Sequence, residues 1–350
     1  MNVLVLPQYS MRSYQTGKWL INKDANIKLM EYFCKIVKEI ESSSFFHLVL
    51  PNEVNLNQLP EDNFFRQDHA VCLHAPHGNN ALSQRYNFPY KEFEKLIKES
   101  KATLVLCPLE KVANFKAIKK NLKVIGFNHY LDFYTMSSPL ESKYMLRDID
   151  GVLNSDLTYF NTHTNMLNFM CHEFVNNSLY QKLFPKCKTS NILYSKENLE
   201  KYVPKPNATK VITFISRLSD LKRTKADVFI RVAKQIQETT HIDVVITDPN
   251  NSKEIEVPSS MIMAEFEGED FYEYMTLRPV VPIMYDLHKW ASVGITEAIA
   301  CGAIPIEYKG DDKRFYEDLI AFKTNMTYNV ELLSLEYNKA RVFDEITAIL

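Results

Sequence analysis

The sequence predicts an α/β protein made of two Rossmann-like domains, each a parallel sheet covered by helices on both faces. Three observations point there. The chain has 350 residues, more than one typical domain and comfortable for two. Short, continuously apolar runs alternate with helical patterns, and strands without polar alternation are those buried on both faces of a parallel sheet. The pattern halts at a polar stretch, Ser195 to Lys210, with Pro204 and Pro206, which reads as the linker between the domains, and then restarts.

In chain order, Val3 to Leu6 reads as a buried strand and Asn26 to Glu41 as a helix. Phe46 to Leu50 and Ala70 to Leu73 follow as strands, Tyr90 to Ser100 as a helix and Ala102 to Leu106 as a strand. A lysine-rich helix from Lys111 to Asn121 leads into the strand Leu122 to Phe127. Gly151-Val152-Leu153 reads as one more short strand, ending in Asn154-Ser155. After the polar stretch come the strand Val211 to Ile215, a helix Lys222 to Thr239, and strands at Ile242 to Ile246 and Val280 to Tyr285. Ala226, Phe229, Ile230 and Ala233 recur at i, i+3, i+4 and i+7, the buried stripe of that helix. Ser292 to Cys301 is the next helix and Ala303 to Ile306 the last strand. The predicted domains are 1–200 and 201–330, with 331–350 a terminal helix returning to the first.

Composition narrows the function classes. A net charge of −2 gives no global pull toward nucleic acid, so such a partner would need a local basic patch. Six scattered cysteines without a Cys-x-x-Cys pair read as reduced core thiols. The apolar start Met1 to Pro7 lacks the basic lead and full apolar core of a signal peptide, and no run is long enough to span a bilayer. These features predict a soluble cytoplasmic protein. Only 8 glycines are present, and no G-x-G-x-x-G, Walker or G-x-S-x-G motif occurs.

Two segments carry chemistry. In Phe214-Ile215-Ser216-Arg217-Leu218-Ser219-Asp220-Leu221-Lys222 a strand runs into a loop with Arg217, and Lys222 starts a helix. Ligands of open α/β sheets bind beyond the carboxyl ends of strands, where two cations suit a diphosphate. In Ser292-Val293-Gly294-Ile295-Thr296-Glu297 and its continuation to Ile306, Ser292 can cap a helix and Gly302 can end it. Gly294 would let an anion reach the free amides of the first turn, and Glu297 could accept from ribose hydroxyls. Solvated charges and an ordinary capped helix are the plainer readings of each segment taken alone.

Together the two segments, over residues 211–308, resemble the donor domain of retaining GT-B glycosyltransferases of the family 4 type. That family carries Gly-Arg-x4-Lys after a strand and, later, Gly-x-x-x-Glu-Ala-x-Ala-x-Gly before another. The resemblance implies two Rossmann-like domains facing a cleft. It implies that Arg217 and Lys222 hold the donor diphosphate, and that Gly294, Ile295, Thr296 and Glu297 bind the donor, Glu297 through the ribose. Ser216 stands where the family has glycine, and Lys289 where it has the first Glu of a Glu-x7-Glu pair facing the transferred sugar. His129, after the strand Val124 to Phe127, matches the family's histidine near the donor sugar. His129 and Lys289 are thus the candidate catalytic residues. The order strand-His then strand-Ser, with Asp150 to Ser155 as the second, is similar to the family's first domain.

Asp148-Ile149-Asp150 spells the Asp-x-Asp of metal-dependent glycosyltransferases, but it precedes a short strand in an N-terminal α/β unit. His69, His74 and His77 have no cysteine or carboxylate at zinc-ligand spacing. The expected donor is therefore a nucleotide sugar, UDP-linked by the resemblance, used as co-substrate without metal or other cofactor.

The acceptor is read from the loop after the first strand. There Arg12, Tyr14, Lys18 and Trp19 interleave aromatics with cations, a composition suited to stacking on rings and holding phosphates. Residues 91–123 hold nine Lys against four Glu, and Lys111, Lys116, Lys119, Lys120 and Lys123 have no acid between them, a run that reads first as a solvated helix face and would grip phosphates if DNA is bound. Ala300 to Ile306 is also similar to phage α-glucosyltransferases that decorate hydroxymethylated DNA bases. A DNA base is the leading acceptor; a saccharide or small molecule, a sugar-nucleotide epimerase, and a non-catalytic nucleotide-binding module are the alternatives. No membrane and no obligate protein partner are implied.

Overall fold

The computed structural model describes residues 1–7, 25–59, 61–67, 70–75, 90–128, 139–216, 218, 221–247, 255–266, 269–285, 292–326 and 328–350, without the side chains of 25, 139–143, 222 and 223. The described residues up to Ile192, together with Leu335–Leu350, form one compact unit, and Leu193–Ser334 forms another.

The first unit is a seven-stranded, all-parallel sheet in the order β3-β2-β1-β4-β5-β6-β7. Its strands are β1 (Asn2–Val5), β2 (Phe45–Pro51), β3 (Ala70–Ala75), β4 (Leu104–Pro108), β5 (Lys123–Asn128), β6 (Leu157–Phe160) and β7 (Cys187–Thr189). Consecutive residues of a strand point to opposite faces, and along β1, β4, β5 and β6 both faces are buried. Val3 and Val5 look into a core with α1 (Ala25–Ile40), while Leu4 looks into another with α2 (Tyr90–Ser100) and α3 (Val112–Ile118). The second core also holds α4 (Pro139–Asn154), α5 (His163–Met170) and α6 (Asn177–Leu183). In the first core Phe33 meets the rings of Phe127 and Tyr159, each at 4.7 Å between centroids.

The second unit repeats the design with a five-stranded parallel sheet, β10-β9-β8-β11-β12. Its strands are β8 (Val211–Phe214), β9 (Asp243–Ile246), β10 (Ile262–Met263), β11 (Val280–Ile283) and β12 (Ile304–Glu307). A short α7 (Lys196–Leu199) precedes β8; α8 (Leu221–Thr224) and α9 (Ala226–Thr239) follow it. Then come α10 (Glu269–Thr276), α11 (Val293–Ala300) and α12 (Asp312–Ala321). The last helix, α13 (Leu335–Thr347), belongs to the first unit and buries Leu335, Val342 and Ile346 in the core with α1. There Tyr159 donates to Glu345 at 2.8 Å, and Arg341 bridges Glu345 to the Ser190 carbonyl. Burial and the Glu345 charge push the Tyr159 hydroxyl far above its ordinary range.

Three sequence expectations are corrected. Gly151-Val152-Leu153 is not a strand but the last turn of α4, and the next strand is β6. A Cβ on Gly151 would lie 2.4 Å from the Leu109 carbonyl oxygen, so this glycine serves the close approach of α4 to the turn after β4. The helix expected from Lys222 to Thr239 is broken at Lys225, whose φ of 46° is left-handed. The stretch Ser195 to Lys210 is no free linker, because Leu199 and Tyr202 are buried in an apolar cluster of the second unit.

Candidate functional site

In both sheets the strand order reverses beside the first strand of the unit, between β1 and β4 and between β8 and β11. Connections leave toward opposite faces at such a point, and the carboxyl edge there is where open α/β sheets bind ligands. Both segments singled out from the sequence reach this edge in the second unit.

Beyond β8 come Ile215 and Ser216, then the buried Leu218 and α8. The strand is held from below by Thr213, whose hydroxyl lies 2.8 Å from that of Tyr274. Burial raises the Tyr274 hydroxyl's pKa. Lys225, at the break between α8 and α9, sets its ammonium 5.1 Å from the Tyr308 ring centre. Tyr308 in turn donates to Asp312 at 2.8 Å, and Arg231 holds that carboxyl below its usual range.

Helix α11 has the ends its sequence announces. The Ser292 side chain accepts from the Ile295 amide at 3.4 Å, and the Ser292 carbonyl takes the Thr296 amide at 3.0 Å. At the other end Gly302, with φ of 103°, closes a Schellman motif. Its amide bonds the Ile299 carbonyl, and the Ala303 amide bonds that of Ala298, both at 3.0 Å. Pro204 packs where a Cβ on Gly302 would sit, 2.6 Å away.

The geometry separates the four donor candidates on this helix. Ile295 is 1% exposed and its side chain belongs to the apolar cluster on the α10 and α11 face. The Thr296 hydroxyl donates to the Ser292 carbonyl at 2.8 Å, so the amides and side chains of these two are engaged by the fold. No described residue bonds the amides of Val293 or Gly294, and a Cβ built on Gly294 meets no atom of a described residue within 4 Å. Among the described residues, space is thus left open over two helix N–H groups that carry partial positive charge. Glu297, one turn further, is buried at 5% exposure.

Lys222 lies in α8, its side chain outside what is described; Arg217, Lys289, His129, Arg12, Tyr14, Lys18 and Trp19 lie outside the described residues altogether. The sequence reading overlooked Val293 and the Ser216 hydroxyl. The serine at a position where the resemblance places glycine was the available signal.

Other sequence candidates resolve differently. Asp148 and Asp150 sit in α4, not before a strand: Asp148 is buried and accepts from Asn128 at 3.2 Å, while Asp150 is exposed and accepts from Asn154. His74 lies 3.2 Å from the Pro51 carbonyl, and His69 and His77 lie outside the described residues. Among the described residues no group of three His, Cys, Asp or Glu is placed to hold a metal ion. The lysine run is not one solvated face: Lys111 is buried, Lys116 pairs with Asp156 at 2.7 Å, and Lys119 bonds the Ala102 carbonyl. No described helix is long and apolar enough to cross a membrane.

No protein-family model and no curated protein matches this sequence. Solved structures do match. The Anabaena protein HepE, solved with UDP-glucose, superposes with a TM-score of 0.64 at 13% identity over 99% of both chains. UGT89C1 of Arabidopsis thaliana, solved with UDP-L-rhamnose, gives 0.58 at 11% identity over 99% of this chain and 98% of that one. An alpha-glucosyltransferase solved with UDP-glucose and DNA containing an abasic site gives 0.53 at 10% identity, over 99% and 94%. These neighbours are GT-B glycosyltransferases, and the fold of this chain is theirs: two Rossmann-like, all-parallel α/β domains.

Proposed function

We propose that this chain is a glycosyltransferase that takes a sugar from a nucleotide-sugar donor, bound at the carboxyl edge of the second sheet, to a hydroxyl acceptor. The observation that carries this reading is the N-terminus of α11: two amides that bond no described residue, beneath space that no described residue fills, at the point where the strand order reverses. Arg217 and Lys222 flank the same edge in sequence and add the charge a diphosphate requires. Glu297 takes the ribose hydroxyls, and His129 and Lys289 are the candidates facing the transferred sugar. In the reaction the bond from the anomeric carbon to the β-phosphate oxygen breaks and one to the acceptor oxygen forms, with retained configuration. The acceptor's proton departs with the nucleotide. Fixed positive charge on the leaving diphosphate makes a metal unnecessary.

For the acceptor we favour a hydroxymethylated base in DNA. Arg12, Lys18, Tyr14 and Trp19 have the composition for it, and one structure of the same fold was solved with DNA. A duplex base would have to leave its stack to be modified. The test begins with thermal shift against nucleotide sugars, followed by transfer to hydroxymethylated duplex DNA and to glycans, with and without chelator. No donor binding would end the transferase reading. Transfer only to glycans would end the DNA reading, and loss of turnover in chelator that Mg²⁺ or Mn²⁺ restores would end the metal-free one.

A further inference from the structure

Two residues past the end of β8, Ser216 is 7% exposed and its Oγ has no hydrogen-bond partner among the described residues. Folded chains keep few such groups, because a buried hydroxyl that has left water without finding a partner is destabilising. Ser44, His47 and Asn165 carry the same kind of unbonded atom, and all three lie in the first unit. Ser216 is set apart by position. It follows the central strand of the second sheet, beside the reversal point, on the edge that also presents the open amides of α11. The fold itself does not use the hydroxyl.

A hydroxyl can give one hydrogen bond, and a diphosphate offers only acceptors. A phosphate oxygen reaching the end of β8 would meet an O–H already withdrawn from water and bonded to no described residue, so forming that bond breaks none that the described residues make. Glycine, which the sequence resemblance places here, offers no such donor. We propose that the Ser216 hydroxyl is a ligand of the donor diphosphate, donating to a phosphate oxygen at the end of β8. The proposal rests on the nucleotide-sugar reading above and adds a residue to it.

The experiment compares wild type with Ser216→Ala and Ser216→Gly in the full chain. UDP and uridine affinities are measured by calorimetry or competition, and the melting temperature of the ligand-free protein is recorded for each. Both variants should lose about tenfold in UDP affinity, the size of one hydrogen bond to a charged group. Uridine affinity should not change. The ligand-free Ser216→Ala protein should melt no lower than wild type, because it loses only an unbonded hydroxyl. Unchanged UDP affinity in Ser216→Ala would overturn the proposal, as would a Ser216→Gly variant binding UDP as well as or better than wild type, which would make small size the reason for a serine here. Equal losses for uridine and UDP would also overturn it. If wild type binds no UDP and no other nucleoside diphosphate, the donor reading falls first, and that result is separate from any difference among the variants.

Discussion

Replacing Gly294 by alanine separates what the fold needs from what a ligand needs. A Cβ at this position meets no described residue within 4 Å, so the substitution should create no clash in the ligand-free chain. Alanine is the better helix former by about 0.8–1 kcal/mol in a helix interior, and about half of that is a fair expectation in the first turn. The ligand-free protein should therefore gain about 0.5 kcal/mol, or about 1–2 °C in melting temperature. The same methyl would occupy the space through which a phosphate reaches the amides of Val293 and Gly294. Losing one charge-assisted hydrogen bond there costs about 2 kcal/mol, about a 30-fold rise in the Kd for UDP. Urea denaturation of the free protein and calorimetric titration with UDP read the two effects independently. A variant that binds UDP within twofold of wild type would refute the assignment of this helix end to the diphosphate. One destabilised by more than 1 kcal/mol would refute the view that the space is open.

Gly151→Ala should do the reverse. Its Cβ would press on the Leu109 carbonyl, a backbone atom that cannot swing aside, so we expect a loss of about 1–3 kcal/mol in urea midpoint analysis. Glu297→Gln should weaken UDP by about 1–3 kcal/mol while leaving a dideoxyribose analogue unaffected; an equal penalty on the analogue would remove Glu297 from the ribose. His47 is held below its ordinary value of 6.5 by burial. The unfolded chain then binds the extra proton first, so this residue's contribution is complete above pH 6.5 and is lost as pH falls through its depressed folded value. His47→Leu should flatten the acid side of the stability profile relative to wild type, and superimposable profiles would show that His47 does not contribute.

Most of the architecture was legible because buried parallel strands announce themselves as unbroken apolar runs. Val211 to Ile215 and Leu122 to Phe127 fall within a residue or two of β8 and β5. The same rule misled at Gly151-Val152-Leu153. Three small or apolar residues look like a strand, and only the 2.4 Å approach of the Leu109 carbonyl shows why a helix carries a glycine in its last turn. At Lys225 the apolar stripe continues correctly from Ala226, but no periodicity reports a left-handed residue just before it. Helix α11 was the most legible part of the site, because serine and glycine caps are local chemistry. The lysine run was misleading for the opposite reason: its partners, Asp156 and the Ala102 carbonyl, come from other elements. A hydroxyl without a partner, as at Ser216, cannot be read from sequence at all, since it is defined by what every neighbour fails to offer.

The two sheets share one strand order, so topology alone would grant each a ligand site at its reversal point. Side chains decide between them. Beside β4 the edge is filled: Leu109 is fully buried, and its methyl packs 2.9 Å from where a Cβ on Gly126 would lie and the same distance from one on Gly151. The glycines there exist to admit a leucine. Beside β11 the next described helix has a glycine in its first turn that no described residue packs against, over amides that bond to no described residue. A glycine kept in a first turn without a packing reason weakens its helix, and glycine is rare in this chain, with 8 in 350 residues. The same residue type thus closes one edge by fitting against its neighbours and leaves the other unfilled by any described residue, as the proposed donor would require. That contrast, more than the shared fold, supports the proposal of a donor site in the second unit.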